Sequence, residues 1–181
     1  MVLTDSPKLA QRCQRLKNLS FLESKRFWHE EVGFNYRMTN IQAALGAAQL
    51  ETIDEMAEKR RQNAFRYNVL LSQIPGITLP VERQDVKNVY WMYGILVDRA
   101  FGMSRKNLMA ALKEKGIETR TFFLPLNHQP VFKKLRCADS RRFPVAEDIA
   151  KRGLYLPSGS GLTRKEIEYV CNCIGTLQRS R

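Results

Sequence analysis

One long helical pattern constrains the fold of this chain more than any other feature of its sequence. The pattern begins at Thr39, which can cap a helix, while Gln42 can bond back to the backbone of the cap. Apolar residues then recur at helical spacing as far as Ile74, and Pro75-Gly76 ends the pattern. The spacing predicts roughly 35 residues of helix, bent or broken near Glu51.

The first turns of this predicted helix are rich in small side chains. They are Ala43, Ala44, Gly46, Ala47 and Ala48. Small side chains allow a second element to pack at short distance. Two partners fit this pattern, the core of the same chain or another subunit, and the sequence leaves both open.

Shorter elements are predicted before the long helix. Met1-Val2-Leu3 suits the end of a strand, and Asp5 or Ser6 can cap a helix with Pro7 at its first position. Residues 18–38 have no sustained period, so we expect a long ordered loop there.

The C-terminal part of the sequence alternates strand and helix patterns. Strands are expected at 89–97 and 117–123, and helices from Ser104 to Gly116, from Pro144 to Gly153 and from Thr163 onward. Alternate aromatics at Tyr90, Trp91 and Tyr93 suit a packed, half-buried strand. This order predicts an α/β or α+β unit with helices on one face of a small sheet.

The charge balance points to an anionic partner without identifying one. Lys plus Arg number 30 against 18 Asp plus Glu, a net charge of +12. The basic residues are spread out, with short clusters at 59–61, 133–134 and 141–142, and a solvated surface explains them equally well. A non-catalytic basic module that binds nucleic acid or an acidic partner is therefore the alternative function, although no nucleic-acid motif supports it.

The cysteine pattern indicates reduced thiols and a cytoplasmic protein. Cysteines stand at positions 13, 137, 171 and 173, without the paired spacing of a zinc site, so we expect no metal. Cys171 falls on the apolar stripe of the last helix and is expected in the core. No apolar stretch is long enough to span a membrane, and the first residues do not resemble a signal peptide.

Three segments, in this order, carry a family resemblance. They are 33–46, 116–123 with His128-Gln129-Pro130, and 146–163 around Leu156-Pro157-Ser158-Gly159. Together they resemble the DegT/DnrJ/EryC1/StrS family of sugar aminotransferases, and the run 88–94 resembles its GDP-perosamine synthase branch.

The resemblance implies a pyridoxal-phosphate enzyme of the aspartate aminotransferase fold, fold type I. Such enzymes transfer an amino group from glutamate to a keto sugar on a nucleotide carrier, in amino-sugar and polysaccharide (O-antigen) biosynthesis. The chain matches about the second half of such an enzyme. The implied domains are the end of the large cofactor-binding domain (1–38), long linking or interface helices (39–75) and a small C-terminal α/β domain (76–181).

The resemblance also implies site residues. Asn35 would reach the cofactor phosphate of the neighbouring subunit, and Arg37 would add charge to the same anion. Arg120 would meet a carboxylate or the nucleotide diphosphate, and His128 would hydrogen-bond the sugar. A turn residue at Asn35, an ion pair at Arg37 and an ordinary loop residue at His128 are the alternatives.

This chain departs from the family pattern at two positions and at its start. Relatives often have Pro where Thr121 stands and His where Asn127 stands. The Schiff-base lysine of the family would precede Met1, so no catalytic residue is expected in this chain. We therefore expect weak binding of pyridoxal phosphate by the chain alone, and a homodimer or a complementing N-terminal half as its partner. The lysines nearest the start, Lys8, Lys17 and Lys25, lie in polar sequence surroundings.

Overall fold

A computed structural model describes residues 2–22, 24–25, 27–135 and 143–179 of the chain. The chain divides into two compact units, Met1–Thr52 and Ile53–Arg181. Met1, Cys137 and the predicted basic pair Arg141-Arg142 lie outside the described residues.

The N-terminal unit contains two helices whose caps agree with the sequence prediction. Helix α1 spans Pro7–Lys17, and the Ser6 side chain accepts a hydrogen bond from the backbone N–H of Leu9. Helix α2 spans Asn40–Glu51 and begins with the predicted capping box of Thr39 and Gln42. Residues 2–3 are exposed and form no strand, so the prediction of a strand end there is wrong for them.

Within the described ranges, helix α2 contributes no buried side chain to a core. Each of its residues is exposed, including Ile41, Leu45 and Leu50. The small residues of this helix therefore do not serve core packing in the chain, and the subunit-interface interpretation is the one that stays open.

The long helical pattern is interrupted where the sequence predicts a break. Thr52 separates α2 from helix α3, which spans Ile53–Leu71. Helix α3 ends before Ile74, because the Ile74 N–H donates to the Leu71 carbonyl at 3.0 Å and closes a turn instead. Gly76 completes that turn at φ +79°, a conformation that favours glycine.

The C-terminal unit contains a four-stranded antiparallel sheet. The strands are β1 (Ile77–Thr78), β2 (Tyr93–Val97), β3 (Arg120–Thr121) and β4 (Gly153–Leu156), in the order β1-β2-β4-β3. Ile95 of β2 lies opposite Leu154 of β4. The sheet is thus small and mixed with helices, as the sequence predicts.

The described residues of this unit form four further α-helices after α3. They are α4 (Arg105–Glu114), α5 (Pro130–Lys134), α6 (Pro144–Arg152) and α7 (Arg164–Arg179). The core joins buried side chains of α3, α4 and α7 to Tyr93, Ile95 and Val97 of β2 and to β4. Alternate residues of a strand share a face, so these helices pack on one face of the sheet. Cys171 is buried in this core, as predicted.

Two predicted strands are shorter in the structure, and two strands were not predicted. Residues 89–92 leave the sheet because Tyr90 adopts φ +45°, which a regular strand excludes. Of 117–123, only Arg120–Thr121 forms a regular strand, β3; the N–H of Ile117 donates to Leu112 at the end of α4 instead. Strands β1 and β4 are too short, at two and four residues, for alternation to reveal them.

Within the described ranges, no helix is both long and apolar enough to cross a bilayer. The same residues contain no group of three or more His, Cys, Asp or Glu side chains that could hold a metal ion. Cys13, Cys171 and Cys173 are free thiols.

Candidate functional site

The segment that carries Asn35 and Arg37 is seated on the end of helix α1. The N–H of Phe34 donates to Leu16 at 2.7 Å, and the N–H of Tyr36 donates to Lys17 at 3.0 Å. Gly33 permits this approach, because a Cβ at that position would lie 2.3 Å from the backbone of residues 19 and 20. The backbone of the segment is therefore fixed just before helix α2 begins.

Asn35 and Arg37 differ in how far their side chains are engaged. Both are exposed. The Arg37 guanidinium donates to the side-chain oxygen of Asn18 at 3.2 Å. Among the described residues, no side-chain hydrogen bond holds Asn35, so its amide is available to a ligand.

Arg37 lines a cleft of roughly 1110 Å³ beside α1, here called the α1 cleft. Its basic lining residues are Lys8, Arg12, Arg15, Lys17 and Arg37, and none of the described carboxylates lines it. Two of these cations form ion pairs with carboxylates that do not line the cleft. Arg12 pairs with Glu31, and Arg15 pairs with Glu30 at 2.9 Å. The hydrogen bond from Arg12 lowers the pKa of Glu31. Lys8, Lys17 and Arg37 give the cleft a net attraction for anions.

The two predicted cofactor residues suit a phosphate group. An amide N–H₂ and a guanidinium are donors that phosphate oxygens accept, and Asn35 and Arg37 are separated by one residue on a fixed backbone. No lysine with a described side chain suits the nucleophile of the family, because every one of them is exposed to solvent. A nucleophilic amine needs a desolvated setting or a neighbouring cation to lose its proton.

Arg120 lies at a second cleft, within the C-terminal unit, of roughly 320 Å³. Met92 and Pro157-Ser158, which continue the paired ends of β2 and β4, form two adjacent walls of this Arg120 cleft, and Glu118 and Tyr155 also line it. Arg120 is exposed on β3 and forms no ion pair with any carboxylate of the described ranges. A cation without a bound carboxylate at a cleft can receive an anionic group of a ligand.

His128 lies apart from the residues that line the Arg120 cleft. It ends a short 3₁₀ turn, Leu126–His128, and its Nε2 lies 3.4 Å from a carboxylate oxygen of Glu147 in α6. The structure therefore gives His128 an intramolecular partner and does not bring it together with Arg120 at one cleft.

One face of helix α3 holds residues 157–159, of which Pro157 and Ser158 line the Arg120 cleft. Tyr67 donates to the carbonyl of Pro157 at 3.0 Å, Arg60 to Ser158 at 3.2 Å and Asn63 to Gly159 at 3.2 Å. Residues 60, 63 and 67 share a face of a helix, so one helix surface satisfies three consecutive carbonyls. This contact fixes the wall relative to the core.

The adjacent wall, at Met92, is preceded in the chain by a network around Glu82. Arg61 of α3 pairs with Glu82 at 2.6 Å and donates to the carbonyl of Asn88 at 2.6 Å, while the Tyr90 hydroxyl donates to Glu82 at 3.0 Å. The hydrogen bond from Arg61 lowers the pKa of the Glu82 carboxyl. The network holds Tyr90 at its positive φ, and such backbone strain is frequent beside functional sites.

The strand that carries Arg120 is anchored by the next residues along the chain. The Phe122 ring covers Gly94 and Gly153, where an added Cβ would lie 2.6 Å and 2.4 Å from it, and stacks on Tyr155 at 4.4 Å. The Phe122 N–H also donates to the Gly153 carbonyl at 3.2 Å. Because Gly94 and Gly153 have no side chains, the Phe122 ring can pack against them, and this packing fixes the strand that carries Arg120.

The polar residues of α3 that hold the lining of this cleft are not predicted from the sequence. Arg60, Asn63 and Tyr67 interrupt the apolar stripe that also contains Ala64 and Leu71. Polar side chains on a buried stripe require hydrogen-bond partners, so this interruption was the available signal. Tyr90 and Tyr93 are buried as predicted, whereas Trp91 is exposed and does not belong to a packed strand.

Solved structures define the class of protein to which this architecture belongs. DesV of S. venezuelae matches 97% of the chain with a TM-score of 0.83 at 28% identity, and the chain covers 46% of that structure. DesI, solved in the presence of its TDP-sugar product, matches 99% of the chain with a TM-score of 0.81 at 27% identity, and the chain covers 45% of it. The fold is that of the C-terminal part of a pyridoxal-phosphate sugar aminotransferase of fold type I.

The sequence profile of the DegT/DnrJ/EryC1/StrS aminotransferase family matches residues 1–175, and the chain belongs to this family. The GDP-perosamine synthase of Vibrio cholerae is 36% identical over 176 residues, which are 96% of this chain and 47% of that enzyme. The chain thus spans about half the length of the curated relatives it matches. Pyridoxal 5'-phosphate is the cofactor of the family. Family membership favours the aminotransferase interpretation over the basic binding module.

Proposed function

We propose that this chain forms the C-terminal part of an aminotransferase that uses pyridoxal phosphate to aminate a nucleotide-linked keto sugar, with glutamate as amino donor. The match over residues 1–175 carries this proposal, because it includes all three family segments of the sequence. The similarity to a GDP-perosamine synthase favours an amino-sugar product for polysaccharide biosynthesis.

In this proposal, the N-terminal unit contributes to the cofactor site. Asn35 and Arg37 would donate to the phosphate of pyridoxal phosphate, and the exposed amide of Asn35 leaves room for that contact. When bound, the cofactor supplies an electron sink for the transfer of the amino group. The chain's own role is to orient and neutralise the phosphate near the N-terminus of helix α2.

The C-terminal unit would contribute to the substrate site. Arg120 has the charge and planar fork to bind a diphosphate or a carboxylate at the mouth of its cleft. His128 would hydrogen-bond the sugar, with Glu147 beside it. A substrate held by the small domain in this way would be closed off from water when the other half of the enzyme covers it.

The partner in this proposal is a second copy or an N-terminal half that carries the lysine. Exposed apolar side chains of the N-terminal unit support it, among them Phe27, Tyr36, Ile41, Leu45 and Leu50. Apolar groups gathered in such numbers on one unit commonly mark an interaction surface.

Borohydride trapping tests whether the nucleophilic lysine comes from the partner and not from this chain. Treated with pyridoxal phosphate and borohydride, the chain alone should show only weak labelling scattered over exposed lysines by intact mass and peptide mapping. A stoichiometric adduct on one lysine would show that the chain supplies its own nucleophile, contrary to the proposal.

A chimaera tests the cofactor residues. The chain replaces the matching half of the Vibrio cholerae enzyme, and bound pyridoxal phosphate is measured by absorbance after gel filtration. We expect the chimaera to retain the cofactor, Asn35→Ala to release it, and the exposed control Asn107→Ala to behave as the parent. Equal retention by Asn35→Ala and Asn107→Ala would remove Asn35 from the site.

A further inference from the structure

We propose that Arg60 is a positioning residue that joins the two adjacent walls of the Arg120 cleft where the pairing of β2 and β4 ends. The inference deepens the proposed function, since it concerns the site assigned there to the substrate. It rests on one side chain of α3 that contacts both walls.

The geometry of Arg60 links two segments that are distant in sequence. A single guanidinium nitrogen, Nη1, lies 2.9 Å from the carbonyl oxygen of Trp91 and 3.2 Å from that of Ser158. Met92, next to Trp91, lines one wall of the cleft, and Ser158 lines the other. A donor shared by two carbonyls keeps them close to each other, so Arg60 joins the walls directly.

The neighbouring side chains of α3 do not make this link. Asn63 and Tyr67 each bind a single carbonyl, both on the 157–159 wall. Arg61 binds Glu82 and Asn88, at the base of the 91–92 wall. Each of these three residues fixes one wall to the helix, whereas Arg60 holds both walls by one group.

The chemistry of the group explains why an arginine is suited to this position. Arg60 is half-buried, remains charged, and presents several N–H donors in a rigid plane. No carboxylate of the described ranges pairs with it, so the carbonyl oxygens are its principal partners. Hydrogen bonds from a charged donor are stronger than neutral ones, which suits a link between two loops.

Arg120 depends on this link because its cleft is open at the surface. Met92 and Ser158 line the same cleft as Arg120, so a change in either segment alters the surface that a ligand of Arg120 meets. A ligand bound by Arg120 gains from a cleft whose lining is held in place, because less ordering is then needed on binding.

Amide hydrogen exchange on the full chain tests the link directly. Arg60→Ala is compared with Arg66→Ala, which removes the same charge from an exposed position of the same helix. We expect Arg60→Ala to raise exchange at both 88–94 and 155–161 by about tenfold, the effect of losing one charged hydrogen bond, and Arg66→Ala to leave both unchanged. Unchanged exchange at either wall in Arg60→Ala would overturn the proposal. If Arg60→Ala does not fold, Arg60→Lys and Arg60→Gln are used. Arg60→Lys should then show slower amide exchange at both walls than Arg60→Gln.

Binding of GDP, used as a diphosphate probe, separates positioning from general stability. We expect Arg60→Ala to weaken GDP binding roughly tenfold when Arg120 is present and to have no further effect in an Arg120→Ala background, because coupled residues are not additive. Arg60→Lys should restore part of the affinity. Additive losses would overturn the positioning role. If the parent chain and Arg120→Ala bind GDP equally, the role proposed for Arg120 fails, and the exchange measurement alone decides the role of Arg60.

Discussion

The hydroxyl of Tyr67 lies 3.0 Å from the carbonyl oxygen of Pro157 and donates a hydrogen bond to it. Tyr67 is fully buried, and its ring stacks on Tyr93 at 4.7 Å. Burial raises the pKa of this hydroxyl, which therefore remains a donor over the whole physiological range. One buried side chain thus connects the sheet, helix α3 and the wall of the Arg120 cleft.

Tyr67→Phe should destabilise the chain by about 1–2 kcal/mol, because it leaves the Pro157 carbonyl without its buried donor. Urea unfolding followed by circular dichroism measures the change. The matched control is Tyr169→Phe, which removes a hydroxyl that donates to Lys115 at the exposed surface. The control should cost less than about 0.5 kcal/mol, and an equal loss in both variants would contradict the buried bond.

Gly153→Ala should destabilise the C-terminal unit by about 2–3 kcal/mol, because the new methyl group overlaps the Phe122 ring. The added Cβ would lie 2.4 Å from that ring and 2.7 Å from the Ile149 carbonyl. Gly159→Ala meets no atom within 4 Å and should change the stability by less than about 1 kcal/mol. Thermal unfolding of the pair distinguishes the effect of the ring from the general effect of replacing glycine.

The chain should lose stability at alkaline pH, and Cys171 should contribute to the loss. Burial raises the pKa of this thiol to about 12, from an ordinary value of 9.0. Above pH 9.0 the unfolded thiol releases its proton while the folded one keeps it, so stability falls between these two values. Cys171→Ala should therefore show a shallower fall over this range in urea titrations at stepped pH.

The same burial predicts the reactivity of the thiols. Cys171 should react with iodoacetamide more slowly than the partly exposed Cys13 in the folded chain. Equal rates, read by peptide mapping, would show that the core opens more readily than its packing indicates.

Glu82→Gln should weaken the acid dependence of stability. Arg61 lowers the pKa of Glu82 below its ordinary value of 4.5, so the carboxylate stabilises the fold above that value. This contribution is lost as the pH falls through the lowered pKa. The variant should be less stable at neutral pH and should change less on acidification. Glu114→Gln, at an exposed position of α4, is the control and should keep the parent's profile.

Local signals predicted the helices well. The caps at Ser6, Thr39, Ser104 and Thr163 each begin a helix, because a side-chain oxygen bonds to backbone N–H groups within the same turn. The break between α2 and α3 also follows from local sequence. Such features need no information from distant parts of the chain.

The strands and the clefts depend on distant contacts, which sequence periodicity does not contain. Tyr90 has the residue type of a strand, yet Asn88, Glu82 and Arg61 hold it out of the sheet. Arg60 resembles an ordinary surface cation until its carbonyl partners are known. The candidate residues Asn35, Arg37, Arg120 and His128 came from the family resemblance, and their roles stay predictions.

Gly153 is at once the cap that ends helix α6 and the first residue of strand β4. No linker residue separates the helix from the strand. A rotation of α6 about its axis would therefore change the register of β4, and the reverse also holds. One inserted residue at this junction would reverse the face of every β4 side chain and turn Tyr155 towards the core. Insertions should therefore be absent here in functional variants.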